Sequence, residues 1–180
     1  MIVVRRCIGC GAIDTPQPCL GPCAERRLDL VEGGEHAAGI ARLEADERAL
    51  ADLRAVVARC ALGGVGAEEL SALRARSRAA LRLLGPAPEA AAVITAWACD
   101  FCGRIEAPQP CIGVCIRPET TMVTAAEHAA VLERDAAVRE ELERLSTFAR
   151  RVAWTSPRPG ALDRHVQALQ AQASTLNGSF

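Results

Sequence analysis

Between residues 40 and 60 apolar side chains recur at close to every third or fourth position. They are Ile40, Leu43, Leu50, Leu53, Val57 and Cys60, with one interruption at Asp46–Glu47. This spacing lays a single apolar stripe along a helix, predicted to begin near Gly34 or Glu35 and to run to about Leu62. Gly63-Gly64-Val65-Gly66 is its stop signal. Leu70, Leu73, Leu81 and Leu84 then predict a second helix from about Ala67 to Leu84. After Gly85-Pro86-Ala87-Pro88, a linker by composition, the pattern returns. A long helix is predicted from about Ala125 to Trp154 on Leu132, Val138, Leu142, Leu145, Phe148 and Val152. A turn over Thr155–Gly160 follows, then a shorter helix from Ala161 to about Ser174 on Leu162, Val166 and Leu169, with a fraying tail at Leu176–Phe180.

Ahead of each helical pair lies the same stretch of sequence. Residues 7–23 read CIGCGAIDTPQPCLGPC and residues 99–115 read CDFCGRIEAPQPCIGVC, 92 positions apart without a gap. Both have the form Cys-x2-Cys-x8-Cys-x3-Cys, and Glu35-His36-Ala37-Ala38 is matched by Glu127-His128-Ala129-Ala130. The short apolar leads Met1–Val4 and Val93–Trp97 read as strands. The Pro-rich cysteine stretches read as irregular and extended, and each is joined to its helix by a polar bridge.

The expected architecture is mainly α, a tandem duplication of two small four-cysteine, zinc-knuckle-like modules, each followed by a helical hairpin. The first repeat covers residues 1–85, with its module at 1–34 and its hairpin at 35–84. A linker at 86–92 leads to the second repeat at 93–180, with its module at 93–124 and its hairpin at 125–176. Neither hairpin can bury its apolar face alone, so the two are expected to pack as a four-helix bundle with approximate two-fold symmetry.

Composition narrows the partners. Net charge is −1 and aromatic residues are 3% of the chain, so neither a basic field nor stacking side chains recommend nucleic acid. No apolar run is long enough to span a bilayer, and Met1–Cys7 lacks a signal-peptide core. A cytoplasmic protein is expected, and there paired cysteines are metal ligands before they are disulfides. Arg74, Arg78 and Arg82, with Arg150, Arg151, Arg158 and Arg164, are interspersed with acids and read as solvated helix faces.

Cys7, Cys10, Cys19 and Cys23, and again Cys99, Cys102, Cys111 and Cys115, are the candidate ligands. Zinc takes four soft ligands in a tetrahedron, and two close pairs supply them without a large core. Gly11 and Gly103 follow the first pair, where a glycine relieves crowding as the chain turns past a metal. The spacing resembles zinc-knuckle and small zinc-ribbon modules. Trp97-Ala98-Cys99-Asp100-Phe101-Cys102 also resembles the opening of the Ran-binding-protein type of zinc finger. The other copy has Arg5 where Trp97 stands, and no function is carried over. Iron competes for the same thiolates: four cysteines equally hold an iron–sulfur cluster, although the common ferredoxin spacings are absent. Cys60, whose counterpart 92 positions on is Val152, reads as a buried core thiol.

His36 and His128 each lie 13 residues after the last cysteine of their copy, at the start of a long helix. They are candidate ligands or hydrogen-bond donors to a thiolate; the plainer alternative is that Glu supports a helix N-terminus and His packs beside it. His165 reads as a surface residue. No catalytic constellation is legible. The sequence thus points to a two-zinc scaffold or accessory protein with a protein partner. An iron–sulfur electron-transfer protein with one cluster per repeat is the alternative, and a zinc-finger nucleic-acid binder the weaker one.

Overall fold

The computed structural model describes residues 1–6, 13–14, 25–86, 90–99, 105–107, 119–158 and 160–178. The described residues are mainly helical, with one sheet, and divide into two compact units. One comprises Met1–Ala41 with Pro88–Glu133, the other Arg42–Ala87 with Arg134–Phe180. Each unit draws on both halves of the chain.

The first unit is built on an antiparallel sheet of six strands: β1 Ile2–Arg6, β2 Ile13–Asp14, β3 Glu25–Glu32, β4 Ile94–Cys99, β5 Ile105–Glu106 and β6 Glu119–Thr124. Their order across the sheet is β2-β1-β6-β3-β4-β5. At the centre β3 pairs with β6, with Val31 opposite Val123, residues 92 positions apart. The other pairs repeat about that point, except Glu25–Cys99 and Arg26–Ala98, whose counterparts fall outside the described residues. Ile2 opposite Met122 matches Ile94 opposite Leu30, and Arg6 opposite Ile13 matches Ala98 opposite Ile105. The register therefore has a local two-fold axis through Val31 and Val123. Strands cross between halves: β1 pairs with β6 and β4 with β3.

Inside the sheet, Val4, Ile13, Leu30, Ala96, Ala98, Ile105 and Met122 form a small core. Along β1, half-buried Ile2 and buried Val4 alternate with exposed Val3, the period-two pattern of a strand with one covered face. The edge strands β2 and β5 come within 8 Å of one another between Cα atoms. The sheet thus curls upon its core, which shields edges that would otherwise invite pairing.

β3 and β6 correct the sequence reading, which made them a polar bridge. In β3 the charged Arg27 and Asp29 alternate with Leu28 and Leu30, so the apolar face is only two residues long before Val31. β1 and β4 were expected, and each runs two residues further than its apolar lead.

The helices are α1 Gly33–Ala61, α2 Ala67–Leu83, α3 Ala125–Trp154 and α4 Leu162–Asn177. All four were predicted, with ends differing by at most three residues. Leu176 and Asn177 lie inside α4, not in a frayed tail. In the helical unit one core joins all four: Leu53 and Val57 of α1, Leu70 and Leu73 of α2, Leu145 and Phe148 of α3, and Leu169 and Ala173 of α4. Cys60 belongs to this core. Burial pushes its thiol up to about 11, outweighing Arg59, so it is an inert packing group.

The buried seam of α1 is Gly39, Leu43, Asp46, Leu50, Leu53, Val57 and Cys60, a strict alternation of four and three residues. Ile40, placed on that stripe from sequence, is 38% exposed because Gly39 takes the seam position. Leu142, Leu145, Ala149 and Val152 continue the equivalent seam of α3. Glu47 pairs with Arg134 at 2.6 Å and Arg54 with Glu141, so the two helices run parallel in the helical unit. This is the side-by-side geometry of heptad-spaced helices.

α1 starts against β6. A Cβ on Gly33 would stand 2.9 Å from both the carbonyl oxygen and Cβ of Thr121, whereas one on Gly34 would meet nothing within 4 Å. Gly33→Ala is expected to lower stability by about 1–3 kcal/mol through overpacking. Gly34→Ala should instead be neutral or stabilising by up to about 1 kcal/mol, since it removes a helical glycine. Urea midpoints of the two variants, compared at equal m-value, check the difference.

Candidate functional site

The cysteine loops flank the shortest strands. β1 and β2, paired at Arg6 and Ile13, are joined by residues 7–12, which carry Cys7 and Cys10. Residues 15–24, with Cys19 and Cys23, lead from β2 to β3. The second half repeats this arrangement around β5. Cys7, Cys10, Cys19, Cys23, Cys102, Cys111 and Cys115 lie outside the described residues. Cys99 is the last residue of β4, its backbone opposite Glu25 of β3. Among the described residues no group of three or more His, Cys, Asp or Glu is placed to hold a metal ion.

His36 and His128 come together. Their rings face each other with centroids 5.7 Å apart and planes inclined at 60°, each from the first turn of its helix. Gly39 lies beside them: a Cβ there would meet Cε1 of His128 at 3.6 Å, an ordinary van der Waals contact. His128 is 6% exposed. Both its ring nitrogens, and Nδ1 of His36, are buried without a hydrogen-bond partner among the described residues. An unsatisfied buried polar atom costs about 1–3 kcal/mol, so three at one point mark a place where the fold forgoes stability. The sequence supplied both residues and their equivalence, but not that they meet.

Beside them Glu127 closes a capping box at the start of α3. The Thr124 backbone N–H and hydroxyl donate to Oε2 of Glu127 at 3.0 and 2.9 Å, and the Glu127 N–H donates back to the Thr124 hydroxyl at 3.2 Å. These bonds, the backbone one first, hold the Glu127 carboxyl below the usual range. Glu35 lacks the matching threonine, because Glu32 occupies that place and pairs with Arg6.

The chain matches no family model, no curated protein and no solved structure. What it does must therefore be argued from its own residues.

A second polar cluster escaped the sequence reading. Asp46 and Asp135, 0% and 2% exposed, lie in the seam between α1 and α3. Arg139 pairs with both, at 2.8 Å to Asp135 and 3.1 Å to Asp46, and Arg42 pairs with Asp46 at 3.3 Å. In each carboxyl Oδ1 has no conventional donor. A proton on Asp135 would give it a donor towards Asp46. Burial first, then the charge of Asp46, pushes the Asp135 carboxyl up, against the pull of Arg42. The signal in sequence was the mismatch between halves: Val138 stands 92 positions from Asp46 and Leu43 from Asp135.

His165, read as a surface residue, is half-buried, with Nε2 buried and unpartnered among the described residues. Burial, then Arg74 and Arg151, lowers its pKa. Of the arginines read as solvated, Arg74 donates to the Thr155 carbonyl at 2.6 Å and Arg151 to Gln172 at 3.0 Å. They tie α2 and α3 to their neighbours.

A carboxyl raised in the folded state stabilises below its unfolded pKa and loses that contribution as pH rises through the folded value. Asp135 therefore favours the folded chain most in acid and less towards neutrality. Replacing it with Asn supplies an N–H donor that does not titrate. The difference in Tm between Asp135→Asn and the parent is expected to grow in the variant's favour from pH 4 to pH 8. A thermal-unfolding series across that range checks the sign.

Proposed function

We propose that this protein is a metal-binding scaffold: two structural zinc sites, each of four cysteines, in a cytoplasmic chain that presents its helical frame to a protein partner. One observation carries the reading, the identical Cys-x2-Cys-x8-Cys-x3-Cys spacing in both halves, bracketing β2 and β5. Cys7, Cys10, Cys19 and Cys23 form one ligand set, and Cys99, Cys102, Cys111 and Cys115 the other. In this role the metals contribute folding free energy and no chemistry. Edge strands of two residues, each anchored in the small core by a single isoleucine, are where such a contribution is needed.

The same reading makes the chain a tandem duplication. The order of three strands and two helices occurs twice, β2 and β5 lie 92 positions apart, and the sheet register is symmetric about Val31 and Val123. The repeats, 1–85 and 93–180 with a linker at 86–92, then behave as two protomers joined into one chain. His36 and His128 are equivalent side chains of the two repeats that meet, and their nitrogens without partners among the described residues suit donors to a thiolate or ligands.

Protein purified without oxygen is expected to be colourless, to contain about two zinc per chain and to lack acid-labile sulfide. Cys19→Ser or Cys111→Ser should each release about one zinc per chain and unfold the local loop. A brown protein with labile sulfide would replace zinc by an iron–sulfur cluster. Variants that keep both metals would remove these cysteines from the ligand set.

A further inference from the structure

Two grooves run along the α1–α3 pair of the helical unit, and their linings correspond 92 positions apart. Leu50 corresponds to Leu142, Arg134 to Arg42 and Glu47 to Arg139. The Arg42 groove, about 260 Å³, holds the chain's own linker. Leu84 enters it in an extended conformation, φ −69° and ψ 115°. Arg42 donates to the carbonyls of Gly85, at 2.6 Å, and of Pro86, and Arg139 donates to Pro86 at 3.0 Å. The grip is close: a Cβ on Gly85 would stand 2.9 Å from Nη1 of Arg42.

The Arg134 groove, about 420 Å³, is larger. The residues that correspond to Leu84–Pro86 are Leu176–Gly178. They finish α4 instead, with the Gly178 N–H on the Ser174 carbonyl. No described segment crosses this groove. Its floor is more apolar than that of its counterpart, since Val138 takes the place of Asp46. Arg134 stands where Arg42 grips carbonyls, held by an ion pair to Glu47 with side chains 67% and 36% exposed. A pair this exposed to water contributes little, so Arg134 can exchange it for a carbonyl at little cost. Glu47 then faces the chain where Arg139 donates on the other side, and as an acceptor it calls for a cation.

We propose that this groove binds an extended peptide segment of a partner protein. The peptide has an apolar anchor on Leu50 and Val138, a backbone carbonyl on Arg134 and a basic side chain against Glu47. Main-chain hydrogen bonds supply the affinity and the anchor with its following cation the specificity, as in other modes that capture extended peptides. The inference goes beyond the metal reading and does not depend on what the cysteine loops hold.

The test uses the full chain and two labelled peptides based on residues 83–87, acetyl-Leu-Leu-Gly-Pro-Ala-amide and its Pro→Lys analogue. Fluorescence anisotropy, with methyl NMR of Leu50 and Val138, reads binding up to ~1 mM. Saturable shifts confined to those methyls are expected, with the Lys peptide tighter by about threefold, the size of one exposed charge pair. Glu47→Arg, which restores the two-arginine clamp, should reverse the order of the two peptides. Ala137→Trp, at an exposed position on the groove wall, should abolish binding while helicity stays unchanged. No saturable shift, or binding indifferent to Ala137→Trp, would overturn the proposal. Binding that appears only after truncation at Asn177 would give the groove to the chain's own end and overturn a partner's role.

Discussion

The pairing of β3 with β6 at Val31 and Val123 is the constraint from which the rest of the structure follows. Each strand comes from a different half of the chain, and each also pairs with the first strand of the other half. A hairpin of β1 and β2 alone would be a marginal structure. Joined through β6 and β3, two such hairpins become one curled sheet with an inside. β3 runs directly into α1 at Gly33, and β6 into α3 at Ala125. Parallel long helices leave their seams facing, and the shorter α2 and α4 fold back to complete the second core.

Polar residues in that seam are the informative exceptions. His36 meets His128 where the helices begin; Asp46 comes ten residues after His36 in the chain, and Asp135 seven after His128. The two pairs solve burial differently. Asp46 and Asp135 are held by Arg42 and Arg139, which also grip the linker carbonyls, so the charge cluster doubles as a clasp for the connection between halves. Buried ion pairs seldom add much stability, but they can fix register. Here they distinguish one side of a nearly symmetric helix pair from the other. Among the described residues, both ring nitrogens of His128 and Nδ1 of His36 have no such partners.

The helices were legible because their apolar stripes are long and their stops are glycines: Gly63 and Gly64 both adopt positive φ, 71° and 67°, which other residues rarely do. Burial errors came from treating the stripe as apolar only. The true seam takes Gly39 over Ile40 and does not skip Asp46. The sheet was half legible. β1 and β4 are short apolar runs, but β3 and β6 mix charges with two or three apolar residues, and period-two patterning names a buried face without naming the strand beside it. That strands would cross between halves is a property of tertiary pairing that no local pattern carries. Lying outside the described residues, most of the cysteine positions remain where the sequence put them, as a spacing with a chemical expectation.

Expressing residues 1–86 and 87–180 as separate chains tests the crossed sheet most directly, with size-exclusion light scattering and circular dichroism on each alone and on the mixture. If β1 needs β6 and β4 needs β3, neither half will fold as a monomer, and mixing will yield a folded complex of one copy of each. A half that is monomeric, cooperatively folded and unchanged by addition of the other would contradict the crossed pairing.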